Sequence, residues 1–96
     1  MFFAWDGKKA ASNLRKHGIS FDEAVTVFYD PLAATFEDSD HSLEENRFIS
    51  VGYSAKGRLV VISHAEENDV TRIISARRAT RGERKRHEDE ALGTAG

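Results

Sequence analysis

Ninety-six residues, 40% of them hydrophobic, suffice for one domain with a single buried core. Cysteine is absent, which excludes disulfides and thiolate metal sites and fits a reducing cytoplasm. No apolar run approaches the roughly 18–20 residues of a membrane span, and Met1 to Asp6 lacks the basic and apolar regions of a signal peptide.

Phe2 to Trp5 is short, aromatic and β-prone, and reads as a strand. Asp6 then caps a helix from about Gly7 to His17, with Ala10 and Leu14 as a thin apolar stripe and Gly18 as the stop. Ser20-Phe21-Asp22-Glu23 has the form of a capping box in which Ser20 caps and Glu23 reaches back. It opens a second helix whose Phe21, Ala24, Val25 and Phe28 recur at core-facing spacing. Asp30-Pro31 ends that helix, and Leu32 to Phe36 reads as an edge strand before an acidic loop at residues 37–46.

Three strands follow, at about Arg47–Ser54, Arg58–Glu66 and Val70–Arg78. A two-residue turn at Lys56-Gly57 would pair Tyr53 with Val60 and Ile49 with His64. A three-residue turn at Glu67-Asn68-Asp69 would pair His64 with Arg72 and Val60 with Ala76. In that register Arg72, Arg78 and His64 share one face, while Arg77 points to a smaller, serine-rich face. A one-residue slip would exchange the faces of the last strand. Thr80-Arg81-Gly82-Glu83 opens a final helix to about Leu92 that has almost no apolar stripe, so it should be only loosely held. The order β-α-α-β-β-β-β-α is an α+β domain with a mostly antiparallel sheet over residues 1–93, followed by a frayed tail at 94–96.

Charge is distributed unevenly along this chain. Of its 14 Lys/Arg, seven fall between Arg72 and Arg86, whereas 15 of its 16 acids lie elsewhere. A basic corner on an acidic body attracts an anionic partner, although a solvated helix with arginine decoration would look the same. Phosphate-loop, metalloprotease and nucleophile-elbow signatures are missing. His41 with Asp38, Asp40 and Glu44 is conceivable as a metal site, but an acidic loop is more often simply solvated.

An arginine-rich constellation suits hydrolysis of RNA by its own 2′-hydroxyl, which needs a base, donors for the growing phosphate charge and an acid, but no metal. Arg72, Arg77 and Arg78 are the candidate donors, since a guanidinium grips two phosphate oxygens and stays protonated. His64 or Glu45 would handle protons; the alternatives are a hydrogen-bonded sheet histidine and a loop-end charge that orients Arg47. Lys16, His17, Arg47, Arg81 and Arg84 are candidate RNA contacts.

Several segments together resemble the BrnT toxin family: Trp5-Asp6, Asn13-Leu14-Arg15-Lys16-His17-Gly18-Ile19-Ser20-Phe21-Asp22-Glu23-Ala24, Asp30-Pro31, Glu45-Asn46-Arg47-Phe48-Ile49, and Arg72 through Arg84. The resemblance runs from about residue 3 to 90. It implies a RelE-like fold with two N-terminal helices and a C-terminal helix around the sheet, and a ribonuclease that blocks translation without cofactor or metal. It also implies a partner antitoxin, BrnA, through which the complex binds its own promoter DNA. A non-catalytic module that only holds the antitoxin and acts in repression is the alternative. Two positions depart from the family pattern. Gly7 stands where Pro often follows the capping Asp, and His87 lies near the place of a frequent Tyr in the last helix. The second departure implies weaker activity if an aromatic there stacks on a base.

Overall fold

The computed structural model describes residues 1–41 and 45–93, with the side chains of residues 92 and 93 left aside. The expected tail at 94–96 and part of the expected acidic loop lie outside the described residues. Eight elements follow one another: β1 (Phe2–Ala4), α1 (Gly7–His17), α2 (Phe21–Val27), β2 (Ala34–Glu37), β3 (Arg47–Tyr53), β4 (Leu59–Glu67), β5 (Val70–Arg78) and α3 (Arg81–Gly93). This is the order expected from the sequence. The five strands form one sheet in the order β1-β5-β4-β3-β2, with β1 parallel to β5 and the other pairs antiparallel.

Local signals place the helices. Asp6 accepts from the backbone N–H of Lys8 at 2.7 Å, and Gly18 takes the left-handed conformation at φ 69° to end α1. Ser20 accepts from Glu23 N at 3.0 Å to open α2. The expected reciprocal arm of that capping box is replaced, because the Glu23 side chain turns inward to Ser54 and Arg58. Burial explains the change: a carboxylate only 5% exposed needs a cation more than it needs a second backbone N–H.

α1 and α2 cover one face of the sheet. Ile19, Phe21, Ala24 and Val27 pack there against Val60, Ile62, Ile73 and Ala76, with Phe3, Trp5 and Phe28 at the margin. Burying Ile19, Phe21, Val27, Val60, Ile62 and Ile73, each of them roughly 1.5–3 kcal/mol, is the main stabilising term of the domain. Gly52 lies under α2 because a Cβ there would fall 2.8 Å from Ala33 Cβ and 2.9 Å from Val27 Cγ1. Beyond Ala4 the outer edge of β5 has no strand partner. Asn13 of α1 fills the gap: its side-chain amide donates to Ala76 O at 2.8 Å and to Ile19 O at 2.9 Å, and its carbonyl accepts from Ala76 N at 3.0 Å. α3 lies on the opposite face, beside Val51 and Val61.

The register differs from the expected one at both hairpins. β3 and β4 are joined by a three-residue loop closed by Ser54 N to Arg58 O at 2.9 Å, with Gly57 at φ 77°, so Tyr53 pairs with Leu59 and Ile49 with Ser63. β4 and β5 are joined by a two-residue turn in which Asn68 and Asp69 both have positive φ, 50° and 66°, the signature of a type I′ turn. A β-bulge then lets β5 gain a residue, since Ser63 pairs with Ser75 but His64 pairs with Ile73.

Candidate active site

The bulge decides which arginines meet. Arg72 pairs with Ala65 and Arg77 with Val61, and these partners are four residues apart on a regular strand. Arg72 and Arg77 therefore project from the same face of the sheet, although five positions separate them in sequence. The expectation of opposite faces is corrected here: simple alternation fails where β5 carries an extra residue. Arg47 pairs with Ala65 from the other side and joins them. This face, away from α1 and α2 and partly roofed by α3, holds Arg47, Ile49, Val51, Val61, Ser63, Arg72, Ser75 and Arg77.

Each arginine of this face has a carboxylate beside it. Glu45, just before β3, accepts from Arg47 Nε at 2.7 Å and from an Arg72 terminal nitrogen at 2.6 Å. The hydrogen bond from Arg47, followed by that from Arg72, holds the Glu45 carboxyl below its ordinary pKa, so it is ionised at neutral pH. Arg77 makes a two-pronged pair with Glu83 of α3, at 2.8 and 2.9 Å. That pair lowers the Glu83 pKa to about 2 and raises that of Arg77.

His64 lies elsewhere. It projects from the helix-covered face, is 2% exposed and sits against Phe28 and Phe48. The expected pairing of His64 with Arg72 is replaced by pairing with Ile73, and so the expected grouping of Arg72, Arg78 and His64 is not formed. His64 Nδ1 contacts Glu66 at 2.6 Å and Nε2 contacts Ser50 Oγ at 2.8 Å. In the neutral imidazole that burial favours, Nδ1–H donates to Glu66 and Nε2 accepts from the serine hydroxyl. Burial lowers the His64 pKa, against the opposing pull of Glu66. Ser50 is itself 1% exposed, so this Ser–His–Glu chain offers no nucleophile to a substrate.

The remaining candidates are spread around the basic corner. Arg78 pairs with Val60 on the helix-side face and is exposed at the end of β5. Lys16 and His17, exposed in the last turn of α1, line a shallow cleft with Ile74 and Ser75 at the outer edge of β5. Arg81 is exposed in the first turn of α3, and Arg84 reaches Glu88 at 4.0 Å along the same helix. His41 contacts Asp38 at 3.0 Å, Glu44 lies outside the described residues, and no group of three metal-ligating side chains occurs among the described residues. One neighbour of these arginines escaped sequence reasoning, since Glu83 reads as a cap alone. Tyr53 is half-buried on the same face, with its ring 6.1 Å from that of His87 and its hydroxyl donating to Glu88 at 3.3 Å.

No helix among the described residues is long and apolar enough to cross a membrane. Comparison with known proteins identifies the fold and the family. The crystal structure of the Brucella abortus ribonuclease toxin BrnT superposes with a TM-score of 0.66 at 19% sequence identity, covering 84% of this chain and 100% of that one. The shared fold is α+β, with three helices and a five-stranded mixed sheet. No curated protein sequence matches. The family profile described as ribonuclease toxin, BrnT, of type II toxin–antitoxin system matches residues 5–83, and over that span of strands and helices the chain belongs to the BrnT family of ribonuclease toxins.

Proposed function

We propose that this chain is a metal-independent endoribonuclease that cleaves RNA, inhibits translation in the cytoplasm and is neutralised by a BrnA-like antitoxin. The observation that carries the reading is the gathering of Arg47, Arg72 and Arg77 on one open sheet face, with the ionised carboxylate of Glu45 between two of them. Arginine forks grip non-bridging phosphate oxygens and stabilise charge that grows in a pentacoordinate transition state. Four residues of β4 separate the rows of Arg72 and Arg77, about 13 Å along the strand. The two forks would thus address separate, non-adjacent phosphates of one strand, with Arg47 supporting the Arg72 end.

Glu45 is ionised and would take the 2′-hydroxyl proton as that oxygen attacks phosphorus, the departing 5′-oxygen taking its proton from water, and its two arginines hold its plane. His64 supports the sheet in this reading and does not handle protons, because its ring is enclosed. Arg78, Arg81, Arg84, Lys16 and His17 extend the positive field that draws RNA in. Promoter DNA would be met only through the antitoxin.

The test is incubation of the purified protein with RNA in the presence of EDTA, with and without the antitoxin. Cleavage in EDTA that stops when antitoxin is added supports the reading. Absence of cleavage under every condition favours a module that only binds antitoxin and acts in repression.

A further inference from the structure

Glu83 serves two partners at once. Its Oε1 accepts from Thr80 N at 2.8 Å while its own N–H donates to Thr80 Oγ1 at 3.2 Å, completing the capping box of α3. Both oxygens also accept from the Arg77 guanidinium, at 2.8 and 2.9 Å. We infer that the Glu83 carboxylate occupies the phosphate seat of Arg77, so that an RNA phosphodiester and the docking of α3 on the sheet compete for one guanidinium fork. Glu83 is then a positioning residue that couples substrate binding to the last helix. The inference rests on the reading of Arg77 as a phosphate ligand.

Three observations support it. First, a carboxylate held by both prongs of an arginine has the planar two-oxygen geometry that the non-bridging oxygens of a phosphodiester present to the same fork. Second, the described residues of α3 bury little surface against the sheet. Of its described side chains only His87 is buried. Arg84–Glu88 and Lys85–Asp89 run along the helix and do not bind it to the sheet, whereas the Tyr53 bond to Glu88 is long at 3.3 Å. Third, α3 does not seal against the strands. A cleft of about 160 Å³ separates them, walled by Arg77, Glu83, Arg86 and His87 over a floor that includes Val51 and Val61. A phosphate arriving at Arg77 therefore enters beside the helix and replaces its tether.

The test compares the wild type with Glu83→Gln, which keeps a capping-box side chain but loses the charge. The probe is a single-stranded 2′-O-methyl RNA oligonucleotide, which binds but cannot be cut by its own hydroxyl. Glu83→Gln should bind it roughly three- to tenfold more tightly, a range set by the partial exposure of the pair. In the wild type, the oligonucleotide should speed hydrogen exchange of the α3 amides; in Glu83→Gln those amides should already exchange fast and change no further. Equal or weaker binding by Glu83→Gln, or slower α3 exchange on binding in the wild type, overturns the coupling. Arg77→Ala separates the two levels. If it binds the oligonucleotide like the wild type, the phosphate reading of Arg77 fails; if it binds weakly while Glu83→Gln is unchanged, only the coupling fails.

Discussion

Asn13→Ala should be among the most damaging single changes outside the aliphatic core. The wild-type side chain satisfies three backbone groups, Ala76 N–H, Ala76 C=O and Ile19 C=O, in a region where Ile19 and Ala76 are fully enclosed. Truncation leaves all three without that partner, and each buried unsatisfied group costs about 1–3 kcal/mol. The losses overlap, because a water can enter the space left by the amide, so we expect a net destabilisation of about 3 kcal/mol. For a domain of this size that corresponds to a fall in Tm of roughly 12 °C or more. Urea unfolding monitored by circular dichroism measures the loss, and hydrogen exchange at Ala76 localises it. Asn13→Asp should be no better, since a carboxylate accepts from Ala76 N–H but cannot donate to either carbonyl. A loss below 1 kcal/mol for Asn13→Ala would refute the view that this side chain stands in for a missing strand at the edge of β5.

Stability should fall over two pH ranges on acidification. His64 has a folded pKa lowered by burial, so the unfolded chain takes up its proton first and stability falls as pH drops through about 6.5. His64→Gln should remove that first stage in denaturation measured against pH. Glu83, held at about 2, contributes stability that is complete above about 4.5 and disappears between 4.5 and 2. Solvent screening of this partly exposed pair limits its contribution to about 1 kcal/mol, and Glu83→Gln should make the lower limb shallower by that amount, Glu23 and Glu45 supplying the rest. Gly52→Ala should cost about 1–3 kcal/mol in chemical denaturation, because its new methyl group meets Ala33 and Val27 below van der Waals distance.

The elements were legible in the sequence because they rest on local chemistry. Asp6, Ser20, Gly18 and the Thr80–Glu83 box each act within one turn of the chain, and alternating Val and Ile mark the strands. The faces were not legible, because they depend on counting across turns. Lys56-Gly57 reads as a two-residue turn, yet Ala55 joins the loop, and that single residue moves Ile49, Val51 and Tyr53 to the other side of the sheet. The bulge near Ile74 leaves no compositional mark, yet it brings Arg72 and Arg77 to one face, while the two-residue turn at Asn68-Asp69 is what separates Arg72 from His64. Glu45 was legible as a partner of Arg47, two residues away, whereas its bond to Arg72 spans 27 positions and requires the fold.

The measurement that bears most directly on the site is the single-turnover rate of RNA cleavage in EDTA by the wild type, Arg72→Ala, Arg77→Ala and His64→Gln, each checked for fold by circular dichroism. The wild type should cleave in EDTA, Arg72→Ala should be slower by about 10²–10³ with the fold retained, Arg77→Ala should be slowed chiefly at low RNA concentration, and His64→Gln should cut at close to the wild-type rate. Loss of wild-type cleavage on chelation, or folded arginine variants as fast as the wild type beside a slow His64→Gln, would contradict an active face built on Arg72 and Arg77.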